Sequence, residues 1–317
     1  MSDREIKSTA VIGAGIMGIG IVQSFAEAGM SVRMIARSQQ RLEQSLASVE
    51  ANLRLFDEFK LLNEKPSVIK SRIEIVAAEN MAEVTKGCDF VLETVPEVLE
   101  TKKAIFGQLD SLPAEVIIGS NTSSFTMDVL TEKMEKPQRM VGLHYFNPAH
   151  IIPAVEIHKS KHTTDDVVKR THALMIRTGK KPVIVQKTVP GFIINRLTGA
   201  MEREIDYLID EGIVTPEDLD TAVKASYGFR LSCMGPMAQE DLIGLDTSAR
   251  VSGNVFKVLS NKTEPSPILL EKVKRGELGI KAGKGWYDYS GKTRDEVNDT
   301  INRRLLKQLA LFRSVEK

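Results

Sequence analysis

His144, in "GLHYFNP", and Glu156, in "PAVEI", stand twelve residues apart and are the residue types that move a proton at neutral pH. An imidazole titrates near neutrality, and a neighbouring carboxylate fixes its tautomer and stabilises the protonated ring. A base that takes a proton from an alcohol needs this pairing. Far upstream, Gly13, Gly15 and Gly18 form G-x-G-x-x-G in "VIGAGIMGIG", where Ile16 and Met17 open a helical pattern directly after an apolar strand. The first glycine permits a tight turn, the second lets backbone approach a pyrophosphate, and the third lets helix pack on strand. The phosphates would then lie at the helix N-terminus. Three glycines alone mark many tight turns; the strand before and the helix after point to a dinucleotide.

The companion of such a turn is an acid about twenty residues on, which holds the adenosine ribose and repels a 2′-phosphate. Here the second strand ends "MIARSQQR", so Ala36, Arg37 and Ser38 take that place, and the first carboxylate is Glu43. A guanidinium beside a hydroxyl suits a 2′-phosphate, which favours NADP(H) over NAD(H). The alternative is a solvated Arg37 and an NAD site without the acid.

These residues need elements to hold them. Seven apolar runs, "TAVIG", "SVRMIA", "IEIVAA", "DFVLETV", "EVIIGSN", "RMVGLHYF" and "PAVEI", alternate with helical patterns up to about Lys187. Such alternation predicts βαβ units and a parallel sheet covered on both faces. His144 and Glu156 then fall at the ends of adjacent strands. Between the second and third strands, Leu42, Leu46, Val49, Leu53 and Phe56 recur at helical spacing, which predicts a long helical hairpin standing off the sheet. After "TVPGF" the pattern becomes purely helical. Ile193, Leu197, Met201, Ile205 and Leu208 share one stripe that stops at Gly212, and Thr215 caps a new helix begun by Pro216. The predicted fold is α/β: a Rossmann-like domain over residues 1–187 and an all-α domain over 188–317.

Composition sets limits. The 317 residues are 42% hydrophobic and 27% charged, the balance of a soluble globular protein with a sizeable core. A net charge of +1 excludes a global field for nucleic acid or anionic lipid, so neither is an expected partner. The uncharged run from Ser8 to Ala26 is too rich in glycine for a membrane span. Cys88 and Cys233 are too few for a disulfide framework and read as inert packing residues of a reducing compartment. "MSDREIKST" leaves no room for a signal peptide before the first strand, and a cytoplasmic location is expected. No metal is expected.

The motifs "VIGAGIMGIGI", "SNTSS", "GLHYFNP" with "VEI", "VPGFIINRL", "GPMAQEDLIGLD" and "GIKAGKGWYDY" occur in an order that resembles the 3-hydroxyacyl-CoA dehydrogenase family over nearly the whole chain. The resemblance implies hydride transfer between a nicotinamide cofactor and a 3-hydroxyacyl-CoA, with dimerisation through the helical domain. It implies His144 as general base, Glu156 as its partner, and Ser123 and Asn195 as hydrogen-bonding partners of the reacting oxygen. Asn147, Glu97, Lys102 and Lys281 would line the cofactor and substrate cleft. Taken singly, Ser123 or Asn195 reads equally as a helix cap, and Lys281 as a solvated lysine.

Two departures bear on the substrate. CoA-using members carry lysines on the hairpin to meet CoA phosphates, whereas here the segment reads "NLRLFDEFKLL", with Arg54 and Lys60 the only basic candidates near its centre. In "NPAHIIPAVE", His150 and Pro153 replace a proline and a lysine, as in relatives that oxidise compact polar alcohols or aldehydes. His150 is a candidate contact for a substrate carboxylate, or a half-exposed loop histidine. The expected substrate is a short-chain acyl-CoA, with a small CoA-free hydroxy acid, polar alcohol or aldehyde as the alternative. A non-catalytic, crystallin-like protein is a third reading that the intact His144, Glu156, Ser123 and Asn195 set disfavours.

Overall fold

The computed structural model describes residues 5–315. It divides into two compact units, one made of the chain up to Ile193 together with the segment from Arg304, the other of Ile194–Arg303.

The first unit is built on eight strands: β1 (Ser8–Ile12), β2 (Ser31–Ala36), β3 (Ile73–Ala77), β4 (Phe90–Glu93), β5 (Ile117–Ser120), β6 (Met140–Tyr145), β7 (Ala154–His158) and β8 (Lys181–Ile184). They lie in the order β3-β2-β1-β4-β5-β6-β7-β8, and every pairing is parallel except β6 with β7. All residues of β4, β5 and β6 are buried, as a sheet covered on both faces requires. The edges β3 and β8 are part-exposed. β8 has no counterpart among the seven runs read from sequence, because "KPVI" opens with a charge and a proline that only an edge strand tolerates.

Helix Ile16–Glu27 buries Ile21, Val22, Phe25 and Ala26 against the sheet, with Phe25 edge-on to Phe90 at 6.0 Å. The hairpin differs from the prediction in two ways. Its first arm, Gln39–Glu58, does not stand off the sheet, since Leu42, Val49 and Leu53 are fully buried in the core that contains Phe25 and Met34. Its second arm is only the short helix Pro66–Lys70. Apolar residues at helical spacing specify a buried face, and the nearest apolar surface is helix Ile16–Glu27.

The C-terminus also departs from the boundary at 187/188. Leu306 and Leu309, near the end of helix Arg294–Val315, bury against Phe56 and Ile151, and Arg313 donates to Leu61 O at 3.1 Å. The segment from Arg304 therefore belongs to the sheet unit.

The second unit is entirely helical, apart from isolated bridges. Thr215 caps helix Pro216–Ala225 as predicted, its Oγ1 accepting from Asp218 N at 3.1 Å, with Glu217 and Asp218 toward the positive end of the dipole. Gly212 ends the preceding turn at φ 63°. No helix among the described residues is long and apolar enough to cross a membrane. Cys88 is buried, and desolvation raises its thiol pKa. Cys233 is exposed, which corrects its reading as a packing residue.

Candidate active site

β6 and β7 run antiparallel with His144 directly opposite Glu156, and Gly142 opposite His158. His144 and Glu156 sit on one face of the sheet, and His144 Nδ1 lies 2.7 Å from Glu156 Oε2 with both side chains buried. The second carboxylate oxygen, Oε1, accepts from Ile193 N at 3.0 Å. Each oxygen of Glu156 is therefore engaged.

Phe192 covers this pair. Its ring centroid lies 5.4 Å from that of His144 and 3.8 Å from that of His158, and its φ is 52°. A bulky residue in the left-handed region costs on the order of 1 kcal/mol. The buried ring and the Ile193 N–H bond to Glu156 hold it there. "VPGF" carries this conformation because Gly191, at φ 79°, makes the preceding turn.

The loop after β5 ends beside β6. Tyr145 N donates to Asn121 Oδ1 at 3.0 Å, tying Asn121-Thr122-Ser123 to the end of β6. Glu97 holds the same loop: its Oε1 accepts from Ser123 N at 3.0 Å, Ser124 N at 2.9 Å and Thr122 Oγ1. That network uses Ser123 through its backbone and leaves its Oγ out. Burial works to raise the Glu97 pKa, but the Thr122 hydrogen bond and the Lys102 ammonium together lower it. Glu97 thus positions Ser123.

Lys102, expected to line the cleft, is fully buried instead. Its Nζ donates to Glu93 Oε1 at 2.8 Å and Oε2 at 3.0 Å, and pairs with Glu97 Oε2 at 3.1 Å. Glu93, the last residue of β4, also accepts from Ser120 Oγ at 2.7 Å, and desolvation raises its pKa against these partners. A buried carboxylate at the strand end requires a cation, and Lys102 is consumed by it. The sequence reading missed Glu93, because one acid at the end of "FVLE" has no distinctive spacing.

The glycine turn fits a dinucleotide. A Cβ on Gly13 would lie 2.4 Å from Thr94 Oγ1, and one on Gly18 would lie 1.9 Å from Gly13 O, so strand, turn and helix meet at glycine contact. A Cβ on Gly15 would meet nothing within 4 Å, which is the open face a pyrophosphate needs. Ile16 is 60% exposed at the helix start, with Met17 packed against the core. Arg41 Nε and Ser45 Oγ both donate to Ala14 O, at 3.1 and 2.8 Å, bracing the turn from helix Gln39–Glu58. Neither was singled out from sequence, since both sit on an ordinary helical face.

Ala36 ends β2, Arg37 is exposed, and Ser38 Oγ accepts from Arg41 N at 3.2 Å as the cap of helix Gln39–Glu58. Arg54 is exposed on that helix, and Lys60 lies just past its end at φ 56°. Asn147 is exposed after β6.

His150 lies in the turn after β6 and is part-exposed, as its loop reading has it. Its ring centroid lies 5.7 Å from that of Phe56, and a Cβ on Gly20 would fall 2.7 Å from its backbone N. Desolvation, with the Lys180 ammonium nearby, lowers its pKa to about 3. Lys180 Nζ donates to Ile152 O at 2.9 Å and to Ala149 O, fixing the reversal between β6 and β7. Asn195 stands in helix Ile194–Asp210, and Lys281 in the turn Ile280–Ala282, both within the helical unit.

A buried histidine–carboxylate pair and an open glycine turn at one end of the sheet fit a nicotinamide-type oxidoreductase scaffold. Residues 8–189 match the family "3-hydroxyacyl-CoA dehydrogenase, NAD binding domain" and residues 191–289 its C-terminal domain. The chain belongs to the 3-hydroxyacyl-CoA dehydrogenase family, oxidoreductases acting on CH–OH donors.

The chain is 35% identical to a 3-hydroxybutyryl-CoA dehydrogenase of Bradyrhizobium diazoefficiens, over 90% of this chain and 96% of that one. It is 32% identical to a 5-formyl-3-hydroxy-2-methylpyridine 4-carboxylate 5-dehydrogenase of Mesorhizobium japonicum, over 90% and 91%. A solved structure of a dehydrogenase for the same pyridine compound, described as an NAD+-dependent dismutase, superposes with a TM-score of 0.87 at 31% identity, covering 98% of this chain and 99% of that one. An (S)-3-hydroxybutyryl-CoA dehydrogenase from Ralstonia eutropha superposes at 0.73 with 32% identity, covering 90% and 100%.

Proposed function

We propose that this protein transfers hydride between a nicotinamide dinucleotide and a compact, CoA-free polar alcohol or aldehyde, with His144 as the acid–base residue. The observation that carries the substrate class is the cover on helix Gln39–Glu58. Where CoA-using relatives present lysines, Phe56 is packed beneath the chain's own C-terminal segment through Leu306 and Leu309. The likeness to the pyridine carboxylate dehydrogenase, which extends over that segment, supports the same reading.

When bound, the nicotinamide supplies or accepts the hydride. The chain does the rest. His144 Nε2 takes the proton from the substrate hydroxyl, or returns it in the reducing direction, while Glu156 fixes the ring and stabilises the imidazolium. Ser123 Oγ, set by Glu97 and Asn121, donates to the oxygen on which charge develops, and Asn195 is the second such donor. Arg37 and Ser38 receive a 2′-phosphate, making NADP(H) the preferred cofactor. Asn147 and Lys281 serve the cofactor side. The helical unit carries a homodimer interface, and free Cys88 and Cys233 suit a reducing, cytoplasmic setting.

A second reading keeps the short-chain 3-hydroxyacyl-CoA substrate, favoured by the family match and by exposed Arg54 and Lys60 as phosphate contacts. The test is nicotinamide absorbance with acetoacetyl-CoA set against hydroxymethyl- and formylpyridine carboxylates and small hydroxy acids. Turnover of the CoA-free set, cut about a thousandfold in His144→Gln, is the expected result. Rapid turnover of acetoacetyl-CoA alone would replace it with the second reading. Arg37→Ala is expected to weaken NADPH about tenfold and leave NADH unchanged. Equal affinities before and after would end the phosphate assignment.

A further inference from the structure

Beside the His144–Glu156 pair stands a third ligating side chain that the reaction does not use. His158 is two residues beyond Glu156 on β7 and points to the same face of the sheet. It is 2% exposed, and neither of its ring nitrogens has a hydrogen-bond partner. Its Nε2 lies 3.8 Å from Glu156 Oε2, the oxygen that holds His144. Room for the ring comes from Gly142 across the ladder, where a Cβ would stand 3.0 Å from His158 Cβ. Nothing in the proton transfer needs a buried, unsatisfied imidazole here, and such a group is costly to keep without a partner.

We propose that His144, Glu156 and His158 form a site for one zinc-class divalent cation, which competes with the proton shared by His144 and Glu156 and so switches the base off. One ligand atom from each residue falls within 4.8 Å of the other two. Zinc binds imidazole nitrogen and carboxylate oxygen at about 2.0–2.2 Å, so its ligand atoms stand at most about 4 Å apart. The widest pair must close by less than about 1 Å, and His158 has no hydrogen bond to give up in moving.

Two imidazoles and one carboxylate select zinc, cobalt or nickel over magnesium or calcium, which prefer all-oxygen shells. On binding, the metal takes a lone pair from His144 Nδ1, Glu156 Oε2 and His158, and the proton that lay between His144 and Glu156 moves by way of solvent to His144 Nε2, so the ring stays neutral and Nε2 can no longer accept a proton. The binding stands on the geometry alone; the inhibition rests on His144 being the base.

The experiment is a cobalt titration of chelator-stripped wild-type protein, read by visible absorption, followed by zinc competition against a chromophoric chelator. One cobalt per chain with d–d bands is expected, with zinc affinity at least tenfold weaker in His158→Val and in His144→Gln. Cys233→Ser, which removes the exposed thiol, should match wild type, and magnesium should not compete. Absence of the cobalt bands, or zinc affinity unchanged in both histidine variants, overturns the site. If circular dichroism shows His158→Val unfolded, His144→Gln, on the other strand, decides alone. Zinc that binds through His158 yet leaves turnover intact would keep the site and sink the assignment of His144 as base.

Discussion

Up to Ile193, apolar residues are shielded strand by strand, with Val11, Val91, Ile118 and Val141 all fully buried. From Ile194 to Arg303 no hydrophobic side chain is buried at all, and Phe229, Leu242, Phe256 and Val258 are each at least 70% exposed. The two regions obey the same patterning rules with opposite outcomes. A sheet receives its cover from its own crossover helices, so the first unit is complete in one chain. Amphipathic helices specify a face to be buried without specifying what buries it. An exposed apolar surface of this size in a single chain is the kind that a partner covers, and a second copy is the partner proposed above.

The sharpest way to break that contrast is to charge the helical surface. Leu242→Asp combined with Phe256→Asp is expected to abolish the proposed dimer in light-scattering chromatography and to melt the helical unit, leaving the sheet unit folded by circular dichroism. A monomeric wild type, or a double variant that keeps both its mass and its helix content, would show that the exposed face needs no second copy.

The same contrast explains what was legible in the sequence. The glycine turn, the pairing of His144 with Glu156 and the cap at Thr215 were legible as placements, because residue type and spacing along strand and helix suffice for them. Glu93, Arg41, Ser45 and His158 depend on register and burial, which single positions do not reveal. Lys102 was set in the cleft by the family resemblance, and its burial against Glu93 is a pairing that spacing does not reveal. β8 was hidden by its leading charge and proline, and the return of the chain from Arg304 by a polar helix that contributes only Leu306 and Leu309 to the core. His150 does lie in a turn, as read, but its packing on Gly20 and Phe56, distant in sequence, could not be seen.

A smaller effect should follow from removing the cation inside the complete unit. Lys102→Met leaves Glu93 buried without its partner, a change that costs about 3–5 kcal/mol at neutral pH. The sign with pH is fixed by Glu93, whose folded pKa is already raised by desolvation. The variant gains stability as pH falls through that raised value, because the folded state takes up a proton that the unfolded chain binds only at lower pH. Urea denaturation at pH 5 and pH 8 checks this: the deficit relative to wild type should shrink at pH 5. An equal deficit at both would mean that Glu93 is satisfied without Lys102.

The smallest effect compares like with like. Thr164 caps helix Asp165–Arg177 in the sheet unit and Thr215 caps helix Pro216–Ala225 in the helical unit, each accepting from the backbone N–H three residues on. Replacing either threonine with alanine should cost about 1 kcal/mol. The chemistry is matched, so a difference between the two must come from the surroundings. In calorimetry, Thr164→Ala should lower a transition that is indifferent to protein concentration. If the helical unit associates as proposed, Thr215→Ala should lower one that rises with concentration. One shared transition, moved equally by both variants at every concentration, would mean that the two units fold as a single cooperative body and that the helical surface draws its stability from within the chain.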